Sequence, residues 1–349
     1  MRRTQGKVAV AGYGYWGPKV VRALIRLLGP SRLVVCDPRP EARTAASRAH
    51  PGIDTVPALP HVLADDSVSA VCLCTPAAQH AAQAKEALAA GKPVLVEKPV
   101  ATNLADAEAL VEAAARSGQF VMAGHVQLYS PATAALRRLV SSGRLGALRY
   151  LYSQRTSLGP RVREDTSVVW DYLVHDAYLL PHVLGRWPER VAAHGGAWLR
   201  PGVIDVVFAR FDFGHGVFAA CQAGWYDPLK VRRLVLVGGE AMALYEGHPP
   251  KEHLLVLERG YRLSEGADSF GNRGLVLFDG DVQPVPLASE EPLMAELRTF
   301  LESVEDGQPP AGEAERILRT TALLEAVDDS LRRDGQPVEV AYRELCASP

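Results

Sequence analysis

The chain has 349 residues, 48% of them hydrophobic, and a formal charge of -2. That length supplies core for roughly two domains, and charges of both signs spread along it leave no basic face for a phosphate backbone, so nucleic acid is not an expected partner. No segment approaches the roughly 18 apolar residues of a membrane span, and no apolar signal core precedes the first strand, so a cytoplasmic protein without membrane contact is expected.

Through the first third, short apolar runs alternate with amphipathic stretches. Strands are expected at Lys7–Ala11, Leu33–Cys36, Ala70–Cys74, Pro93–Val96 and Phe120–Ala123, and helices at Pro18–Leu28, Glu41–Ala49, Ala78–Ala90 and Leu104–Ser117. This rhythm predicts an α/β domain over residues 1–124, a Rossmann-type doubly wound parallel sheet. Gly29-Pro30, Gly91 and Gly118 stop helices just ahead of the next strand.

Over residues 125–349 the pattern changes. A helix at Pro131–Val140 leads into β runs at Leu148–Arg155, Val203–Phe213, Val217–Tyr226, Arg233–Val237, Ala241–Tyr245, His253–Leu257 and Leu275–Phe278. Turn signals at Phe213–Gly216, Gly238-Gly239 and Asp279-Gly280 predict hairpins. Helices at Val168–Leu184, Leu293–Glu305 and Glu313–Arg333 complete an α+β domain for substrate binding and oligomerisation, with a large, mostly antiparallel open sheet. Helices on one face leave the other uncovered, so a homodimer or homotetramer packed through this sheet is expected. Cys36, Cys72, Cys74, Cys221 and Cys346 lack metal-ligand spacing, which points to reduced thiols and no metal.

The first strand runs into Gly12-Tyr13-Gly14-Tyr15-Trp16-Gly17. Three glycines alone are weak evidence. Here they stand between a strand and a helix, where they permit a tight turn, close approach to a pyrophosphate and close helix packing, with Pro18 in the helix's first turn. Asp37 ends the second strand about 20 residues later, placed to bond ribose hydroxyls, so a dinucleotide is implied. A carboxylate there favours NAD(H); Arg39 and Arg43 close by keep NADP(H) open.

Thr75-Pro76 and His80 follow the strand Ala70–Cys74, and Glu97-Lys98-Pro99 follows the next, both at the sheet edge where such folds bind ligands. His80 suits either a helix cap or a cofactor contact. Lys98, one of seven lysines, suits either a solvated loop or the stabilisation of a developing alkoxide. Asp171 and His175 are four apart, on one helical face, where the carboxylate can orient the imidazole; a structural pair on a packed helix fits the same spacing. Arg155, Arg161 and Arg163, just upstream, read as a basic loop that is either solvated or holds a carboxylate or diphosphate. His125 reads as structural, with Gln127 and Tyr129 beyond it toward cofactor or substrate.

Together, Gly12 to Gly17, Thr75-Pro76, His80, Glu97-Lys98-Pro99, Gly124-His125 and Asp171 with His175-Asp176 resemble the signature of the glucose-fructose oxidoreductase, inositol dehydrogenase and rhizopine-catabolism family. The likeness covers nearly the whole chain. The segment Arg155–Asp176 and the Tyr15-Trp16-Gly17-Pro18 ending of the loop resemble the branch holding UDP-N-acetylglucosaminuronate 3-dehydrogenase. Ala77, Ser157, Ser167 and Leu173-Val174 depart from that branch, which bears on substrate more than on chemistry.

The resemblance implies an NAD(P)-dependent dehydrogenase or ketoreductase acting on a CH–OH group of a sugar, nucleotide sugar or cyclitol. It places Gly12, Gly14, Tyr15, Trp16, Gly17, Asp37, Arg39, Thr75, Pro76, His80, Glu97, Lys98 and Gln127 toward the cofactor. Lys98, Tyr129, Arg155, Arg163, Asp171 and His175 fall toward the substrate, with Lys98, Asp171 and His175 catalytic and Asp176 supporting His175. Two other readings stand beside it. One is an imine or dihydrodipicolinate-type reductase; the other is a non-catalytic dinucleotide-sensing regulator, which has no need of the lysine and histidine kept here.

Overall fold

The computed structural model describes residues 6–158, 162–163, 165–247, 252–267 and 273–342; Arg161 and Cys346 lie outside the described residues. By its internal packing the chain divides into two units, Met1–Tyr129 with Glu290–Glu325 and Tyr342–Pro349, and Ser130–Ser289 with Ala326–Ala341. A single cut after residue 124 is therefore not how the chain packs.

The first unit runs β1 (Lys7–Ala11), α1 (Gly17–Leu28), β2 (Leu33–Cys36), α2 (Pro40–Ala49), β3 (Asp54–Val56), α3 (Leu59–Leu63), β4 (Val68–Leu73), α4 (Ala77–Ala89), β5 (Val94–Glu97), α5 (Leu104–Ser117) and β6 (Val121–Gly124). The six strands form a parallel sheet ordered β3-β2-β1-β4-β5-β6. β3 and α3 escape a periodicity reading because they are three and five residues long and β3 is an edge with an exposed Asp54. Both sheet faces are buried, which is why the central strands read as unbroken apolar runs.

Alternate residues enter two separate cores. Val8, Val10, Leu24 and Phe120 pack with Leu293, Leu297 and Phe300 on one face, and Ala9, Val71, Val94 and Leu110 pack with Ile317 on the other. The late residues come from α8 (Pro292–Asp306) and α9 (Glu313–Arg332), one on each face. Their apolar stripes are legible in sequence, but their assignment to the first unit is not.

The second unit holds α6 (Pro131–Ser141), β7 (Leu148–Leu158), α7 (Val174–Leu184), β8 (Arg190–Gly196), β9 (Val206–Asp212), β10 (Phe218–Gly224), β11 (Tyr226–Gly238), β12 (Met242–Glu246), β13 (His253–Ala267), β14 (Arg273–Pro284) and β15 (Val338–Glu339). These nine strands are ordered β14-β13-β12-β11-β7-β10-β9-β8-β15, antiparallel throughout except for the parallel pair β7 and β10. The Gly214–Gly216 and Gly238-Gly239 turns join antiparallel neighbours as expected. Asp279-Gly280 does not turn the chain: it lies inside β14, where the ladder with β13 slips register between Leu257 and Arg259. A Cβ on Gly280 would lie 3.1 Å from the Glu258 carbonyl oxygen, so this glycine marks a bulge.

The helix expected at Val168–Leu184 is present, but it is not α-helical throughout. Its first turn, Val169–Leu173, is π-helical, and α-helix begins only at Val174. Among the described residues no helix is long and apolar enough to cross a membrane, and no group of His, Cys, Asp and Glu could hold a metal ion. Cys36, Cys72 and Cys221 are buried free thiols, and burial pushes Cys36 up to about 11, so it stays protonated at neutral pH.

Candidate active site

In the first unit the glycine loop closes over the end of β4. Gly12 has φ +94°, and a Cβ there would sit 2.5 Å from the Cys74 carbonyl oxygen; a Cβ on Gly17 would collide with the Gly12 carbonyl. Gly14 meets nothing within 4 Å. Two glycines thus satisfy the turn and its packing, and the third leaves an open cradle at the start of α1, as a diphosphate requires. Tyr15 is exposed, Trp16 is half-buried, and the Lys19 ammonium lies 4.1 and 4.6 Å from their ring centroids.

Asp37, 2% exposed, accepts the Tyr13 backbone N–H at 2.8 Å and is gripped by Arg39 through Nε at 3.0 Å and Nη2 at 2.9 Å. Burial alone would raise its pKa; the Arg39 and backbone hydrogen bonds outweigh that and hold it below the usual carboxylate value. Arg43 donates to the Asp37 and Pro38 carbonyls at 2.7 and 2.9 Å. Asp37 is thus a buried carboxylate at the end of β2 whose charge is balanced by Arg39.

At the ends of β4 and β5, Thr75 donates through Oγ1 to Gln83 at 2.6 Å, and Pro76 is exposed. His80 is buried and turns both ring nitrogens to main-chain carbonyls, those of Thr75 and Pro99. Glu97 is buried too, with Oε2 3.2 Å from the Lys98 backbone nitrogen and its side chain backed by Gly124, where a Cβ would come within 3.1 Å. Lys98 is half-buried one residue past β5. Gln127 and Tyr129 lie half-buried in a 3₁₀ turn, and burial raises the Tyr129 phenol. His125, 3% exposed, is held well below its usual pKa by burial and by Arg316, which suits the structural role expected of it.

In the second unit the π-turn carries Asp171, which is 8% exposed and accepts the Trp225 indole N–H at 3.0 Å and, more weakly, Arg163 at 3.5 Å. Single π-turns inside helices concentrate at functional positions. Tyr172 crosses Trp225 edge-to-face at 6.4 Å and meets the Ser157 hydroxyl at 3.0 Å. His175, half-buried on α7, has Nδ1 2.7 Å from the hydroxyl of Tyr178, a residue 1% exposed.

Of the upstream arginines, the two among the described residues, Arg155 and Arg163, do not share one open loop. Arg155 lies within β7 and turns inward, 9% exposed, to Asp176 at 3.5 Å. Asp176 is fully buried and also accepts the Ser153 hydroxyl at 2.8 Å; burial raises its pKa despite both partners. Arg163 grips Asp165 at 2.6 and 2.9 Å besides reaching Asp171. Both guanidinium groups are thus matched by carboxylates of the same unit. Sequence reasoning missed Trp225 and Tyr178. Tyr178 carries a signal, the i,i+3 spacing from His175; Trp225, 54 residues from Asp171, carries none.

Two family models match, the oxidoreductase family NAD-binding Rossmann fold over residues 6–125 and the C-terminal domain of the same Gfo/Idh/MocA group over residues 133–244. The chain belongs to the Gfo/Idh/MocA oxidoreductase family. It is similar to inositol 2-dehydrogenase 2 of Saccharopolyspora erythraea, 29% identical over 216 residues, and there spans 60% of this chain and 64% of the relative. A myo-inositol dehydrogenase of Streptomyces leeuwenhoekii is 30% identical over 64% of this chain and 70% of its own length. Among solved structures, UDP-N-acetylglucosamine 3-dehydrogenase of Acidithiobacillus ferrooxidans matches with TM-score 0.77 and 25% identity, over 94% of this chain and 98% of that one. In this Gfo/Idh/MocA chain, then, the glycine cradle and the Glu97-Lys98-Pro99 segment sit in the matched NAD-binding part, and Asp171 and His175 in the matched C-terminal part.

Proposed function

We propose that this chain is an NAD(P)-dependent dehydrogenase or ketoreductase acting on a secondary alcohol or ketone of a sugar, nucleotide sugar or cyclitol. The observation that carries the reading is Lys98, held half-buried at the carboxyl edge of the same parallel sheet whose β1 leads into an open glycine cradle. The cradle at Gly14, the start of α1 and the carboxylate of Asp37 fit a dinucleotide. When bound, the nicotinamide supplies or takes up the hydride. The Lys98 ammonium stabilises negative charge developing on the substrate oxygen.

His175 exchanges the hydroxyl proton. Transfer is assigned to Nε2, because Tyr178 fixes Nδ1. Asp171, held by the Trp225 indole, bonds a neighbouring substrate hydroxyl. The polyol class draws on the inositol dehydrogenases and the nucleotide-sugar 3-dehydrogenase among the relatives. NAD(H) is the preferred cofactor on the strength of Asp37, with NADP(H) admitted by Arg39.

The test is absorbance at the reduced-nicotinamide band with cyclitols, free sugars and UDP-linked sugars, each with NAD and NADP. Turnover is expected on a polyol or nucleotide sugar. Tight NADH binding with no turnover across the panel would instead favour the non-catalytic regulator.

The outer strands of the second unit also point to self-association. Tyr261 pairs with Leu277 and Leu263 with Leu275, placing four apolar side chains, 61–70% exposed, on one face. Such a patch is rare on a monomer, and a homodimer or homotetramer packed through this sheet is the proposed arrangement. Light scattering of the intact protein should report at least a dimer, and a monomer at micromolar concentration would remove the proposal.

A further inference from the structure

His80 bonds two separate segments of main chain. It is 2% exposed in the first turn of α4, with Nε2 2.8 Å from the Thr75 carbonyl oxygen and Nδ1 2.8 Å from the Pro99 carbonyl oxygen. The two carbonyls belong to different segments, one following β4 and one following β5, which are neighbours in the sheet. A carbonyl oxygen only accepts. A neutral imidazole has one N–H, so it would leave one buried nitrogen lone pair facing an oxygen lone pair, whereas an imidazolium donates to both.

The two anchor points flank Lys98. On its N-terminal side Glu97 receives the Lys98 backbone N–H at 3.2 Å, and on its C-terminal side the Pro99 carbonyl is held by His80. Thr75, the other anchor, is itself fixed through Oγ1 to Gln83. The Lys98 backbone is therefore pinned at both neighbours while its side chain stays half-buried.

We propose that His80 is a positioning residue rather than a cofactor ligand: as a buried imidazolium it braces the segment after β4 against the segment after β5 and so sets where Lys98 presents its ammonium. The clause about Lys98 rests on the oxidoreductase reading; the brace and its charge stand without it.

The test uses the intact chain. Long-range nitrogen–proton NMR of the histidine-labelled protein near neutral pH, with the His80 signals assigned by their loss in His80→Phe, should show both His80 nitrogens protonated. One bare nitrogen overturns the charged brace. By fluorescence titration, His80→Phe should keep NADH affinity within about threefold, while kcat falls about a hundredfold at nearly constant KM, as expected when a catalytic group is displaced by an ångström. His80→Gln, whose amide can donate to a carbonyl, should recover part of the loss. A fall in NADH affinity with kcat intact would make His80 a cofactor ligand, and unchanged kcat would remove its hold on Lys98. Should His80→Phe fail to fold, His80→Gln and the wild-type spectrum decide. Should wild type turn over nothing, the oxidoreductase reading fails and the spectrum still judges the brace.

Discussion

Lys98→Met is expected to lower kcat by about 10²–10³, the cost of removing one donor aimed at a developing oxyanion. Methionine keeps most of the length and apolar stem of lysine, so the half-buried packing beside β5 survives while the ammonium is lost. Glu97 and His80 hold the main chain on either side through bonds to backbone atoms, which the substitution leaves in place. Fluorescence titration should therefore show NADH affinity close to wild type, because the cradle at Gly14 and the Tyr13–Asp37–Arg39 cluster are untouched. Steady-state kinetics on whichever substrate turns over is the measurement, and near-normal kcat would take Lys98 out of the reaction.

His175→Ala should lower kcat/KM by about 10²–10⁴, the usual range for a positioned general acid or base. The comparison that gives this meaning is Tyr178→Phe. That substitution leaves the ring in its fully buried site and removes only the hydroxyl 2.7 Å from His175 Nδ1. A smaller loss, about tenfold, is expected, since the imidazole remains but its orientation is no longer fixed. Equal losses in the two variants would mean that Tyr178 holds more than the histidine, and no loss in His175→Ala would assign proton transfer elsewhere.

The sequence makes some of this legible for clear reasons. Strands buried on both faces announce themselves as apolar runs, so β1, β2, β4, β5 and β6 are readable, and with them the positions of the glycine loop, Asp37 and Lys98 at their ends. β8 is not readable, because Arg190–Gly196 offers two alanines, a histidine and two glycines where a strand signal needs branched or aromatic residues. Asp279-Gly280 misleads because glycine beside aspartate serves a bulge as well as a turn. At the site, the four-residue spacing of Asp171 and His175 suggests a mutual pair. The hydrogen bonds give each a further partner, Trp225 for Asp171 and Tyr178 for His175. A partner 54 residues away on another strand leaves no trace in local spacing. The same holds for Arg155, whose alternation within β7, not its charge, turns it inward to Asp176.

The placement of α8 and α9 has a consequence for synthesis on the ribosome. When residues 1–129 have emerged, all six parallel strands are present, yet Val8, Val10 and Phe120 still lack Leu297 and Phe300, and Val71 and Val94 still lack Ile317. The first unit cannot seal either face of its sheet until the whole of Ser130–Ser289 has been translated. Until then the two sheet faces have only the cover of α1 to α5, and the nascent chain leaves part of each apolar face exposed, the kind of surface that chaperones hold.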